Sequence, residues 1–138
     1  MSFLLDTNAV SEWVKPRPNP GLTAWMESAD EDRIFISVVS LAELRYGVES
    51  MPAGRRRNRL EQWLRHELPL RFESRILPVD ARVAEAWGTT VSRSEAVGRP
   101  IGAMDAFLAA TAETHRLTLV TRNVSDFPLL KAVLNPWS

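Results

Sequence analysis

Short apolar runs alternate along the chain with longer segments in which apolar residues recur at helical spacing. Three of these runs, at residues 3–5, 33–37 and 117–121, predict buried strands because apolar side chains follow one another there without a helical period. Two weaker runs, at residues 75–79 and 131–134, predict short strands, and a proline inside the first of them indicates a sheet edge or a strand end. The pattern therefore predicts up to five strands.

The segments between these runs predict helices, whose boundaries are marked by proline and by capping residues. Pro20 suits a first helical turn, and Asp80 is expected to cap a later helix. Pro52 ends one helix, and the helix that begins at Gly54 is expected to stop near Pro69. The expected helices contain residues 10–14, 22–29, 38–51, 54–67, 83–91 and 102–115.

Strands that alternate with helices predict a mostly parallel sheet, because parallel neighbours need long crossover connections. We therefore expect an α/β fold with three layers, α/β/α, and a single domain over residues 1–138. In open sheets of this kind, ligands bind beyond the carboxyl ends of the strands. Asp6, Asn123 and Asp126 follow predicted strands, so they are expected to contribute to one site.

Composition narrows the class of protein. With 45% hydrophobic and 25% charged residues, the chain is typical of globular proteins, and no apolar stretch approaches the roughly 20 residues of a membrane-spanning helix. No secretory signal is recognisable at the start, so a cytoplasmic protein without a membrane partner is expected. The chain has no cysteine, which excludes thiolate nucleophiles and sulfur ligands, so a metal would have to bind oxygen or histidine.

Charge is balanced overall but unevenly distributed. The 17 basic and 17 acidic residues cancel, so the net charge gives no reason to expect a polyanionic partner. Arginines nevertheless cluster in one predicted helix, at Arg55, Arg56, Arg57, Arg59 and Arg65. The cluster indicates either a solvated helix face or a surface that contacts phosphates.

Asp105 is the sharpest single indication of a functional site. On the predicted helix 102–115 it shares a face with Ile101, Leu108 and Ala112, the side that is expected to pack inward. A buried carboxylate without a partner is costly. Such a group therefore binds a proton, pairs with an arginine or binds a cation.

Three further acids are expected near the same edge of the sheet. Asp6 and Asp126 follow strands, and Glu43 lies beside the apolar stripe of the helix 38–51. Taken singly, they have ordinary explanations as a helix cap, a loop brace and a surface residue. If all three converge with Asp105, their mutual repulsion raises their pKa values unless a cation compensates. Mg²⁺ or Mn²⁺, which prefer carboxylate and water oxygens, would supply that charge.

Four segments of the chain resemble the sequence blocks of PIN-domain ribonucleases, in the order and spacing of that family. The segments are LDTN at 5–8, SLAELRYG at 40–47, DAFLAA at 105–110 and LVTRNVSDF at 119–127. The similarity extends from Phe3 to the terminal Asn135-Pro136-Trp137 and is greatest to VapC-type toxins of the FitB-like branch. It implies a PIN-like fold.

The resemblance also implies an activity, which is the hydrolysis of RNA phosphodiester bonds by a Mg²⁺-dependent endoribonuclease, with Mn²⁺ as the other candidate ion. The residues that match the acidic, metal-binding and catalytic quartet are Asp6, Glu43, Asp105 and Asp126, with Asp6 and Asp105 as the chief ligands. The residues that match its polar supports are Asn8, Thr121 and Asn123. With RNA as the substrate, the arginines expected to contact its phosphates are Arg55, Arg56, Arg57 and Arg59.

The partners implied by the resemblance are those of a toxin–antitoxin system. The chain would form a homodimer, and a small cognate antitoxin protein would hold it inactive. Promoter DNA would be contacted only through that antitoxin.

Two alternatives differ in class from a metal-dependent nuclease. Haloacid-dehalogenase phosphatases also carry an aspartate after the first strand and use Mg²⁺, but their Asp-x-Asp-x-Thr pattern fails here, since position 8 is Asn and position 10 is Val. The second is a catalytically weak interaction module that acts mainly through its antitoxin complex. In that case Trp13, Trp25 and Trp63 would serve a protein interface instead of the core.

Overall fold

A five-stranded, wholly parallel sheet forms the centre of the computed structural model, which describes residues 1–138. The strands are β1 (Phe3–Leu5), β2 (Ile34–Ser37), β3 (Ile76–Leu77), β4 (Thr118–Val120) and β5 (Val133–Leu134). They lie in the order β3-β2-β1-β4-β5, with Phe3 beside both Ile34 and Thr118. Because β1 is central, the residues that follow β1, β2 and β4 meet at one edge of the sheet.

Seven α-helices connect and cover the strands. They are α1 (Thr7–Trp13), α2 (Pro20–Ser28), α3 (Val38–Glu49), α4 (Arg55–Gln62), α5 (Leu68–Phe72), α6 (Ala81–Ala96) and α7 (Ala103–Thr114). Asp6, Asn19 and Asp80 each accept a hydrogen bond from a backbone N–H in the first turn that follows, as capping residues do. None of the helices has the length and apolar character that crossing a membrane requires.

Alternate side chains of the strands enter two separate cores. Leu5, Ile36 and Val120 pack on one face, against α1, α2 and α5. Leu4 and Leu119 pack on the other face against α7, and α6 packs in turn on α7. This arrangement confirms the predicted three-layer α/β/α fold and its parallel sheet.

The helix that was expected to stop near Pro69 continues to Phe72, so that expectation is wrong. Residues Trp63–Glu67 form a wider π-helical turn between α4 and α5, and the Leu68 N–H donates to the Trp63 carbonyl, five residues back. A proline ring normally presses on the carbonyl four residues earlier, which here belongs to Arg65. The wider turn gives the ring room, and Pro69 then occupies the first turn of α5.

The three tryptophans considered for an interface are partly buried against the core. Trp25 meets the Phe3 ring edge-on at 4.9 Å between centroids, and Trp13 meets Phe72 in the same way at 6.2 Å. Trp63 packs against the same core cluster. Core packing, the other role expected for these residues, therefore accounts for all three positions.

Candidate active site

Asp6 lies where β1 ends and α1 begins, at the carboxyl edge of the central strand. Its backbone N–H donates to the Val120 carbonyl at 2.9 Å, which fixes it beside β4. The residue is only 6% exposed. Its Oδ1 accepts the Thr7 N–H at 2.6 Å and its Oδ2 accepts the Thr121 hydroxyl at 2.7 Å. One side chain thus acts both as the helix cap and as a member of the predicted site.

The environment of Asp6 opposes its ionisation. Burial is the largest effect, and it raises the pKa of the Asp6 carboxyl above its ordinary value. The hydrogen bonds from Thr121 and Thr7 lower the pKa, because they favour the carboxylate. The negative charges of Glu43 and Asp126 raise it again. The net effect is a raised pKa, so a nearby cation would stabilise the ionised form of Asp6.

Asp105 lies in the first turn of α7 and is half-buried. Its pKa is raised to about 6, first by burial and then by the negative charges of Asp6, Asp126 and Glu43. None of the ion pairs in the structure includes it. The arginine salt bridge that would have been the ordinary explanation for this carboxylate is therefore absent.

The backbone that carries Asp105 is held in place by α6. Trp87 donates its Nε1 hydrogen to the Ala103 carbonyl at 3.0 Å. The Trp87 ring also stacks on Phe107, with centroids 5.3 Å apart and planes inclined by 26°. The N-cap of α7 is Gly102, which has no side chain to cap the helix, so the indole provides the fixed contact at this end.

Glu43 projects from α3 towards the start of α1. Its Oε1 accepts the Thr7 hydroxyl at 2.6 Å. The Ser40 hydroxyl lies 2.9 Å from the same Thr7 oxygen and can donate to it, because Thr7 has only one hydroxyl hydrogen. Glu43 is half-buried. The orientation of this acid is therefore set by α1 as well as by its own helix.

Asp126 is the exposed member of the acidic group and lies in a short 3-10 turn at residues 124–126. Its negative charge raises the pKa of both Asp6 and Asp105. The hydrogen bonds of the structure do not include the loop-bracing contact to its side chain that was its ordinary explanation. The backbone N–H of Asn123 donates to Thr121 Oγ1 at 3.0 Å, whereas the Asn123 side chain makes no hydrogen bond.

Asn8 and Thr121 form a small network around Asp6. Asn8 Nδ2 donates to Thr121 Oγ1 at 3.2 Å and, more weakly, to Asp6 Oδ2 at 3.4 Å. Asn8 Oδ1 in turn accepts the Arg122 N–H at 3.4 Å. Two of the three predicted polar supports therefore contact an acidic side chain directly.

The four acids match a divalent cation in donor type and in charge. All four offer carboxylate oxygens, and the pKa values of Asp6 and Asp105 are raised, first by burial and then by the negative charge of neighbouring acids. The side chains do not form a closed cage, since no three acids or histidines are grouped as a preformed ligand set. The match therefore rests on charge and donor chemistry.

The predicted phosphate-contacting arginines separate into distinct environments. Arg57 pairs with Glu49 at 3.3 Å and also reaches the Met51 carbonyl at 3.4 Å. Arg56 and Arg59 make no ion pair, and both line a groove of about 260 Å³ that also contains Glu43. Arg55 is exposed and does not line this groove.

Thr7 and Ser40 are site residues that the sequence analysis did not assign. Thr7 follows Asp6 directly, and it links two acids by donating its N–H to Asp6 and its hydroxyl to Glu43. Ser40 precedes Glu43 by one helical turn and is completely buried. A polar residue one turn from an acid on a buried helix face is the signal that could have identified Ser40.

Comparison with known proteins finds relatives that align with nearly the whole chain. Toxin FitB from Neisseria gonorrhoeae is 38% identical over 136 residues, which cover 98% of each chain. VapC ribonuclease Y4jK from Sinorhizobium fredii is 33% identical over 136 residues, which cover 98% of this chain and 97% of the relative. The similarity therefore extends over nearly the whole chain.

Solved structures and the family profile agree with this similarity. A chain in the structure of FitAB bound to the IR36 DNA fragment superposes with a TM-score of 0.91 at 36% identity, covering 99% of this chain and 96% of the other. A toxin-antitoxin complex from Klebsiella pneumoniae gives a TM-score of 0.75 at 25% identity, covering 99% of both chains. The profile of the PIN domain matches residues 3–128. The chain belongs to the PIN-domain family, among relatives named toxin FitB and VapC ribonuclease.

Proposed function

We propose that this chain is a divalent-metal-dependent endoribonuclease and the toxin of a toxin–antitoxin pair. One observation carries the proposal, which is that Asp6 and Asp105 are both affected by the negative charge of other acids in the group. Asp6 is affected by the charges of Glu43 and Asp126, and Asp105 by the charges of all three others. Such a concentration of negative charge at the carboxyl edge of a parallel sheet favours a bound cation.

Asp6 and Asp105 are the proposed chief ligands of Mg²⁺ or Mn²⁺, with Glu43 and Asp126 as helpers. When bound, the ion would supply the positive charge that makes water a better nucleophile and offsets negative charge on the phosphate. Asp6 Oδ1 accepts one hydrogen bond, so it keeps a lone pair for an ion. Oxygen Oε2 of Glu43 makes no hydrogen bond and is available in the same way.

The neighbouring polar residues prepare the acids for this role. The Thr121 hydroxyl and the Thr7 N–H stabilise the ionised form of Asp6, which is the form that binds a metal. Thr7 also fixes one oxygen of Glu43 and leaves the other free. Asn8 is placed to orient Thr121, and Asn123 is assigned the same supporting role from its position after β4.

RNA is the proposed substrate because a relative that aligns with nearly the whole chain is named a ribonuclease. The proposed protein partner is a small antitoxin, since the matching solved structures include a toxin-antitoxin complex and FitAB on DNA. Promoter DNA would then be contacted through the antitoxin, and the toxin would be present as a homodimer in that complex.

The test is cleavage of a defined RNA pool by the purified protein, with Mg²⁺ and with EDTA. Cleavage is expected only with the metal. Asp105→Asn and Asp6→Ala should each reduce the rate by about 100-fold or more, since even the indirect supports of metal ligands are typically worth about 10–100-fold. Thermal unfolding of each variant shows whether it is folded.

Asp32→Asn is the matched control. Asp32 is exposed and lies in the turn before β2, at the opposite edge of the sheet, so its loss should leave cleavage unchanged. Cleavage in EDTA would contradict the metal mechanism. Full activity in Asp105→Asn would contradict the assignment of the site.

A further inference from the structure

A groove opens directly from the acidic site and passes between α1, α3 and α4. It encloses about 260 Å³, and its lining includes Thr7, Glu43, Lys15, Arg56, Arg59 and Trp63. Thr7 and Glu43 also belong to the acidic site, where the Thr7 hydroxyl donates to Glu43. A ligand in the groove would therefore lie next to the proposed hydrolytic centre.

The groove continues into a second cleft, of about 330 Å³. The two share four lining residues, which are Val14, Arg59, Leu60 and Trp63. Together they follow the helix from Arg56 in α4, past the π-helical turn, to Arg71 in α5. At 1.5 Å per helical residue this track is about 22 Å long. Its length suits an extended polymer better than a single nucleotide.

Two cationic side chains in the groove of about 260 Å³ have no acidic partner, whereas the second cleft contains Glu67 and an Arg71 that is paired with Glu31. Arg45, Arg57 and Arg65, which lie on or beside the same helix, are engaged by Glu49 and Glu61. In contrast, Arg56 and Arg59 make no ion pair, and the one acid that lines the groove with them is Glu43. Two free guanidinium groups along a groove that begins at Glu43, a proposed helper in metal binding, are complementary to a phosphate backbone.

Trp63 adds an aromatic surface to the groove that contains Arg56 and Arg59. Its ring lines both clefts, although part of it packs on the core. Grooves that combine positive charge with aromatic side chains are typical of proteins that bind single-stranded nucleic acid, because any base can stack on the ring. Leu60 and Val14 supply apolar surface beside it.

We propose that this track binds a single-stranded segment of the RNA substrate next to the cleaved bond. Its phosphates would contact Arg56 and Arg59, and a base would stack on Trp63. The assignment rests on the proposed ribonuclease function. It assigns different roles to the arginines of the predicted cluster. Arg57 forms an ion pair with Glu49 and is therefore assigned no phosphate contact.

The test is the affinity for a labelled, unstructured single-stranded RNA, measured by fluorescence anisotropy in EDTA so that the RNA stays intact. Arg56→Gln/Arg59→Gln should weaken binding about 10-fold or more at low salt. Log affinity falls as log salt rises, and each contact to a single strand contributes about 0.7 to the steepness of that fall. Loss of two phosphate contacts should therefore make the fall less steep by about 1.4. The control is Arg116→Gln/Lys131→Gln, which removes the same charge from exposed residues at the opposite edge of the sheet.

The outcomes distinguish the groove from the ribonuclease activity. The groove variant is Arg56→Gln/Arg59→Gln. If the wild type cleaves RNA with Mg²⁺ and this variant keeps the wild-type RNA affinity and salt dependence, the groove assignment is wrong and the proposed function stands. If the wild type cleaves nothing but only the groove variant loses RNA affinity, the groove binds single-stranded RNA and the proposed ribonuclease function is wrong. A polyglutamate peptide is the second probe. If it binds more tightly than RNA and the groove variant loses it, the occupant is an acidic protein segment and the RNA assignment is overturned.

Discussion

Thr121 donates its hydroxyl hydrogen to Asp6 at 2.7 Å, across 115 positions of sequence. The same oxygen accepts hydrogen bonds from the Asn8 side chain at 3.2 Å and from the Asn123 N–H at 3.0 Å. Thr121 is completely buried. A single hydroxyl thus joins the end of β4 to the acid at the end of β1 and satisfies two further donors.

Thr121→Val should destabilise the protein, because valine has the same shape but leaves these donors and the Asp6 oxygen without their partner. The expected loss is about 1–3 kcal/mol in the free energy of unfolding, measured by urea denaturation. Thr121→Ser keeps the hydroxyl and should lose less. Equal stability of the valine and serine variants would show that the hydroxyl has no structural role.

Asp105 should make the stability of the metal-free protein depend on pH. Its pKa is about 6 in the folded chain against an ordinary value of 3.8, so the native state binds the proton more tightly than the unfolded state. The ionised carboxylate therefore destabilises the fold above pH 6, and this penalty disappears as the pH falls towards 3.8.

Asp105→Asn removes that penalty and should stabilise the metal-free protein by about 1 kcal/mol at neutral pH, allowing for solvent screening of a half-buried group. The gain over the wild type should shrink as the pH is lowered through 6. Urea denaturation in EDTA over a series of pH values measures it, with Asp32→Asn as the control. A constant gain at all pH values would contradict the raised pKa of Asp105.

Mg²⁺ should raise the melting temperature of the wild-type protein, because a ligand that binds only the folded state stabilises it. At a concentration 100 times its dissociation constant, the gain is about 2.7 kcal/mol. The measurement is thermal unfolding against Mg²⁺, with NaCl at equal ionic strength as the reference. Asp6→Asn should abolish the response, and Asp32→Asn should keep it. The same shift in Asp6→Asn would place the ion elsewhere.

Trp87→Phe should weaken the hold of α6 on the start of α7. Phenylalanine keeps a ring against Phe107 but loses the hydrogen bond to the Ala103 carbonyl. The expected cost is about 1 kcal/mol in unfolding free energy.

Mg²⁺ affinity of the Trp87→Phe variant, measured by calorimetry, should fall because Asp105 follows Ala103 by two residues. Trp25→Phe, on the other face of the sheet, should leave Mg²⁺ affinity unchanged. Equal affinities in both variants would show that Trp87 has no influence on Asp105.

Features that depend on local sequence were predicted well. The runs at residues 3–5, 33–37 and 117–121 became β1, β2 and β4, and the apolar face of α7 correctly indicated an unusual carboxylate at Asp105. These predictions succeeded because strand and helix periods are visible within a few residues.

Features that depend on how distant elements pack were not visible in the same way. The bond from Thr7 to Glu43 spans 36 positions, and it exists only because α1 and α3 lie side by side. The pairing of Arg57 with Glu49 likewise requires two helices to meet at a particular angle. The arginines of this helix that form an ion pair could therefore be distinguished from those that form none only in the folded chain.

The π-helical turn at Trp63–Glu67 acts as a one-residue insertion in an otherwise continuous helix. Each α-helical residue advances the helix by about 100°, so removing one residue here would rotate one half against the other by about that angle. Leu68 and Phe72 anchor the second half in the core, and Leu60 packs the first half against the same cluster, so the rotation would break one of these two sets of contacts. A single extra residue thus lets Leu60 and Leu68 face the same core although they lie on opposite sides of the turn, while Arg56 and Arg59 still line the groove.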